Sequence, residues 1–425
     1  MELHTLSLPQ DMTLLHLPEQ RFRTVRVTGV FAVPLRQEDA AAYAVLPGLL
    51  TRRCRRLPTT AALSRRLEEL YGASVEAGVN RLGQWQVLRF SISFLCKAYT
   101  LNKEDLTEDC TRLLLDMLFD PALEEDVFPQ TDFEQEKRCL LERLQAEIND
   151  KRRYACHQCE ALLGPEDALS VNPLGTPQTV EALTPVEAAA ARERLLSTAR
   201  IHWLCQGVED VSALTQAIHN RFAGLAFRKA VSLQADVAFT VKESQRTDEM
   251  DVQQAKLVLG YRVAVTEPDD QVMAARLMCS LWGGCPSSLL FRHVREEQSL
   301  CYYCAASYDR FHGVVLVDSG VQTENVPLVK QEVQRQLEAI RHGEFSDEEL
   351  EAARLYLIQH FTSLDDTPAG RESYYVGQTV YDNYLTPDAF AGRMLAVTRE
   401  DVCRAAQLTH LDSTYLLRPV EEVSV

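Results

Sequence analysis

The sequence has no run of roughly eighteen apolar residues, the length a membrane-crossing helix needs. Its opening, MELHTLSLPQDMTLL, puts no basic stretch ahead of an apolar one, so neither a span nor a secretory leader is expected. The protein is therefore expected to be soluble and cytoplasmic. Positive charge is in short supply too: 44 Lys and Arg stand against 61 Asp and Glu, a formal net charge of -17. A nucleic-acid partner is excluded on that balance. The largest basic cluster, Arg52, Arg53, Arg55 and Arg56, reads as the solvated end of a helix. The ten histidines never fall three to five residues apart, which removes any ordinary two-histidine helical metal site.

What is present fits a globular intracellular chain. At 425 residues and 46% hydrophobic, the sequence predicts two to three domains with ample core. Twelve scattered cysteines suit free thiols in a reducing compartment better than a disulfide framework. The spacing Cys156-His157-Gln158-Cys159 invites a zinc reading, but EINDKRRYACHQCEALL reads as continuous helix and no H-x-x-x-H accompanies it. Helix-borne, partly buried thiols are expected there.

Along the chain, Thr24 to Leu35 alternates as a strand, Glu38 to Cys54 looks helical, and Ala61 to Tyr71 is a second helix stopped by Gly72. Ser74 to Asn80 and Trp85 to Phe94 read as a hairpin, Leu106 to Phe119 as a helix, and Phe133 to Leu163 as one long charged helix. Thr184-Pro185 caps a helix that leads to a strand at Ala199 to Gly207, with Leu214 to Phe222 helical beyond it. After a polar stretch at Lys242 to Asp251 the same order begins again. Val252 to Val265 is a strand, Asp269 to Leu281 a helix and Gly313 to Val321 a strand. Ser346 and Glu349 form a capping box, and Thr398 starts the last helix before a strand at Ser413 to Leu417.

The two halves match element by element at an offset of roughly 210 to 230 residues, which implies an internal duplication. RRLEELYGASVEAGVN and HVREEQSLCYYCAASY occupy equivalent places. Domains are expected at residues 1–225 and 226–425. The fold class is α+β, two similar halves, each a mainly antiparallel sheet covered by helices.

The stretch Leu289 to Tyr303 carries the chemistry. Trp282-Gly283-Gly284-Cys285-Pro286 breaks the chain, a short helix follows, and its polar end runs into a strand starting at Cys301. Arg295 and Tyr302 then sit at one helix-to-strand corner. A guanidinium and a phenol together can hold a carbonyl or a developing oxyanion. The other reading is a surface ion pair of Arg295 with Glu296 or Glu297 beside a core tyrosine.

These segments, with QQAKLVLGYR, LWGGCPSSLLFRHVREEQSLCYY and SDEELEAARLYL in the second half and AAYAVLPGLL, LSRRLEELYGASVEAG and FEQEKRCLLERLQAEINDK in the first, resemble the insulinase and pitrilysin family of zinc peptidases. That family carries H-x-x-E-H on its first long helix, two zinc-binding imidazoles flanking a general-base glutamate. Here the aligned positions are Ala44, Pro47 and Gly48, and none of the three functional side chains is present. The third ligand position aligns with Arg143, beside Glu142. Pro47 and Gly48 also disfavour a regular helix at the site.

The resemblance thus implies no metal in this chain, with zinc held by a partner. Arg295 and Tyr302 fall on the pair with which the family's second half contacts peptide substrate. The implied function is that of a non-zinc subunit in a two-chain peptidase. Its expected partners are a zinc-bearing paralogue and an unfolded peptide laid along a sheet edge. The alternatives are an inactive peptide-binding or structural subunit of the same fold, or a homodimer with an unrelated activity.

Overall fold

In the computed structural model, residues 3–165, 168–224, 230–231 and 241–420 are described. The expected boundary at 225/226 lies outside them. By internal contacts the chain forms two units. One comprises Met1–Leu144, Val171–Gln234 and Leu364–Thr386; the other comprises Gln145–Ser170, Ala235–Ser363 and Pro387–Val425. Each unit thus takes a segment from the other half of the sequence, a correction to the simple linear division.

The first unit holds a six-stranded sheet of β1 (His4–Leu8), β2 (Met12–Leu17), β3 (Thr24–Pro34), β4 (Ser74–Leu82), β5 (Trp85–Leu95) and β6 (Arg200–Gln206). Their order is β1-β2-β6-β3-β5-β4, antiparallel except for β2 against β6. The second unit holds β7 (Ser244–Met250), β8 (Ala255–Val263), β9 (Cys301–Asp309), β10 (Val314–Val321) and β11 (Thr409–Pro419), in the order β7-β11-β8-β10-β9. Again one pair alone is parallel, β7 with β11. Strand for strand the two sheets share one topology, with β1 added to the first. The duplication read from the sequence is therefore a duplication of fold, and the α+β class holds.

Three strands went unpredicted. β1 lies at an edge with a mostly exposed face, and β2 is a short run lacking clean alternation. β7, SQRTDEM, is polar because it too is an edge strand, held by the backbone ladder to β11 rather than by burial.

One face of each sheet packs on helices. In the first unit Phe31, Phe90 and Trp203 meet edge to face, with ring centroids 5.8 and 6.2 Å apart. In the second, Tyr261 and Trp282 do the same at 4.9 Å. The opposite faces are covered by the exchanged segments. The expected long helix at Phe133 to Leu163 is in fact two, Gln130–Asn149 and Lys151–Leu163, because the Asp150 side chain accepts from Arg153 N–H and caps a new helix. That second helix lays Ala155, Cys159 and Leu163 on Val258, Val314, Leu316, Tyr415 and Leu417. Here lies the physical reason for the exchange: this sheet is apolar on both faces and needs a cover for each.

In the first unit the covered face is polar. Glu372, fully buried on the helix Pro368–Val376, accepts from Arg26 of β3 and, at 3.0 Å, from Ser91 of β5, and it forms an ion pair with Arg89 of β5, also at 3.0 Å. His202 of β6 meets Asp382 at 2.8 Å. Burial lowers the His202 pKa. It works against ionisation of Asp382 too, yet His202, Arg200 and Tyr384 outweigh it and hold that carboxyl at about 2. Among the described residues no helix is long and apolar enough to cross a membrane.

Candidate functional site

The expected metal positions lie in the first unit. The Glu38 to Cys54 stretch is two short helices, Ala40–Ala44 and Leu46–Arg52, broken at Val45. Pro47 has no N–H to return to the Tyr43 carbonyl, so the break falls where the motif would need a continuous turn. Pro47 is nonetheless tolerated near the start of the second helix. Ala44 and Pro47 are buried and apolar.

The third expected position lies on the helix Gln130–Asn149. Arg143 is exposed. It lies seven residues, about 10 Å of helix, beyond the residue that reaches the site. That residue is Glu136: a Cβ built on Gly48 would stand 2.0 Å from its Oε2. Arg52 donates to Glu136 at 2.6 Å and to Gln135 at 2.8 Å, and Arg53 donates to Asp132 at 2.6 Å. The basic cluster is therefore more than a solvated helix end, because Arg52 and Arg53 pair with the helix Gln130–Asn149 and Arg56 pairs with Asp116 at 3.1 Å. Zinc does not fit: of the donor set only a carboxylate remains, and a guanidinium already neutralises it. Among the described residues no group of three or more His, Cys, Asp or Glu is placed to hold a metal.

Arg295 and Tyr302 do come together. Arg295 lies in the last turn of the π-helical segment Phe291–Glu297, and Tyr302 is the second residue of β9. Both line an open cleft of about 440 Å³ with Glu296, Ser299, Gln322 and Asn325. Ser299 turns the chain with a φ of 51°.

The orientation of Tyr302 has a local cause. In the ladder Cys301 opposes Val321 and Tyr303 opposes Gly320, so Tyr302 is the extra residue of a bulge. The bulge turns its side chain out, and it is 62% exposed rather than in the core. Tyr303 goes to the opposite face, its ring over Gly320, where a Cβ would meet it at 2.6 Å, and under the Arg152 guanidinium at 4.5 Å. Arg295 is 45% exposed, 3.6 Å from Glu296 and over the Phe291 ring at 4.8 Å. The alternative reading was thus right about the ion pair and wrong about the tyrosine. β9 pairs only with β10 and is an edge of its sheet.

A model described as the peptidase M16 inactive domain matches residues 182–357, a span that includes Arg295 and Tyr302. A probable inactive metalloprotease of Bacillus subtilis, YmfF, is 28% identical over 95% of both chains. A conserved protein from Enterococcus faecalis superposes with a TM-score of 0.88 at 24% identity, covering 99% of each chain. The peptidase M16 inactive domain from Pseudomonas fluorescens gives 0.80 at 15%, also over 99% of each. This chain is similar to M16-type peptidases in fold and sequence, and it lacks the H-x-x-E-H motif.

Within that M16 framework the two candidate regions have diverged differently. The region expected to hold metal has no histidine donor and pairs Arg52 with Glu136, while the Arg295–Tyr302 corner has an open cleft beside a strand bulge. One feature of the corner escaped the reading of the sequence: Cys301-Tyr302-Tyr303-Cys304 is a second C-x-x-C. Cys301 is half-buried and lines the cleft, and Cys304 is buried behind it. The spacing alone was the available signal.

Proposed function

We propose that this chain acts as the non-zinc half of a two-chain insulinase-type peptidase, presenting Arg295 and Tyr302 to a peptide held at a partner's zinc. The observation that carries the reading is the bulge on β9, which brings both donors into one open cleft at a sheet edge. A peptide strand added to that edge gains main-chain hydrogen bonds that tolerate varied sequences. The guanidinium and the phenol then donate to a peptide carbonyl, and more strongly to the oxyanion that forms when the partner's water attacks. Arg295 gives up little to do so, because an exposed pair at 3.6 Å is weak.

A second reading is favoured by the relative named a probable inactive metalloprotease. In it the chain binds peptide or holds an assembly together without aiding cleavage. The two separate in one experiment, cleavage of an unfolded peptide by a zinc-bearing H-x-x-E-H paralogue with and without this chain. Faster turnover that falls with Arg295→Ala supports the first reading. Complex formation with unchanged turnover supports the second.

A further inference from the structure

The bulge at Tyr302 does more than aim that ring. Cys301 opposes Val321 and Cys304 opposes Ser319, two positions apart on β10. Val321 faces the apolar core, so the slipped register puts both cysteines on the same core-facing side. Without the extra residue they would point to opposite faces. Two ladder steps are about 6.7 Å of strand, within the Cα separation a disulfide spans. Cys304 is 5% exposed, while Cys301 opens into the cleft beside Arg295.

We propose that Cys301 and Cys304 form an oxidisable dithiol in the wall of the Arg295–Tyr302 cleft, with Cys301 the peroxide-reactive thiol and Cys304 the resolving one. The Cys301 thiolate attacks the outer oxygen of a hydroperoxide; the O–O bond breaks, Cys301 becomes a sulfenic acid, and an alcohol or water leaves with the proton. The Cys304 sulfur then attacks the Cys301 sulfur; the S–S bond forms, and hydroxide leaves with the Cys304 proton as water. Two thiols lose two electrons, and the peroxide gains them.

The surroundings favour this division of labour. A hydrogen bond from Cys304 pulls the Cys301 pKa down to about 7; burial opposes this, and Ser319 and the Arg295 charge add to it. The Cys304 pKa is driven up by the same bond and by its burial. Glu296 and Tyr302 are the other titratable groups lining the cleft at this corner. Other thiols lack this setting: burial raises Cys156 to about 12, and raises Cys403 as well.

The dithiol chemistry stands apart from the peptide reading. The test uses the full reduced chain. Brief iodoacetamide labelling at pH 7, mapped by mass spectrometry, is expected to modify Cys301 on the order of tenfold faster than the partly exposed Cys139 and Cys403. Hydrogen peroxide is expected to yield a Cys301–Cys304 disulfide in the wild type. In Cys304→Ser it is expected to yield a dimedone-trapped sulfenic acid at Cys301, and in Cys301→Ser neither product. Labelling of Cys301 no faster than Cys139, or peroxide products scattered without that link, would overturn the proposal. Peptide binding by the oxidised chain is a separate readout, so a failed peptide reading leaves the dithiol result intact.

Discussion

Glu372→Ala tests how the exchanged segment is held to the first unit. The Glu372 carboxylate is fully buried, Arg26 is 4% exposed, and Arg89 and Ser91 complete its partners. Truncation leaves a buried guanidinium without its carboxylate, a loss of about 3–5 kcal/mol when nothing else compensates. Arg26 keeps Glu76 at 2.7 Å and Ser93 at 2.8 Å, and Arg89 can reach solvent, so the lower end, about 3 kcal/mol, is expected. Glu76→Ala, at a carboxylate 52% exposed, serves as the control and is expected to cost at most about 1 kcal/mol. Replacing the pair together, Arg26→Met with Glu372→Leu, is expected to recover most of the loss, since no charge is then stranded. Urea unfolding followed by fluorescence and circular dichroism measures all three against the wild type. Equal losses for Glu372→Ala and Glu76→Ala would refute the reasoning, as would a double variant worse than the single.

Arg295→Ala and Tyr302→Phe are expected to weaken peptide binding about tenfold while moving stability by no more than about 0.5 kcal/mol, because both side chains are exposed; calorimetry and thermal melts check the split. Grafting Ala44→His, Pro47→Glu and Gly48→His, with Arg52→Gln to release Glu136, is expected to give a chain that retains about one zinc after dialysis, and adding Glu136→Gln should abolish it. Metal uptake indifferent to Glu136 would show that this carboxylate does not complete the site. Acid should weaken the first unit in two stages. The folded His202 pKa lies below 6.5, so the unfolded chain binds the extra proton and stability falls as pH drops below that value. Asp382, at about 2 against an ordinary 3.8, adds a further loss between those values. Asp382→Asn should flatten the second stage in a pH series of urea midpoints.

Local signals carried most of the fold. Thr184 with Glu187 and Thr398 with Asp401 close capping boxes, as Ser346 does with Glu349, so helix starts were legible within four residues of sequence. The alternation of β3 likewise fixed its core face. What stayed hidden depended on distant partners. Nothing within SQRTDEM announces a strand, since its pairing to β11 supplies the reason. The break at Asp150 was written in the sequence as a good cap, yet its consequence, a helix covering the second unit's sheet, depends on residues about a hundred positions away or more. The approach of Glu136 to Gly48 was not legible, because counting across the irregular residues before the helix Gln130–Asn149 does not show which of its side chains reaches the shorter helix. Arg295 and Tyr302 were found by spacing, whereas the bulge that exposes Tyr302 is a property of the β9–β10 pairing.

The central claim is that the Arg295–Tyr302 corner works on a peptide at another chain's zinc. The most direct measurement is kcat for an unfolded peptide cleaved by a zinc-bearing H-x-x-E-H paralogue mixed with the wild-type chain, with Arg295→Ala, and with Tyr302→Phe. The account predicts that the wild-type mixture exceeds either chain alone, and that each variant still forms the complex but loses about tenfold or more in kcat. A wild-type mixture no faster than the paralogue alone, or variants that stimulate as well as the wild type, would contradict it.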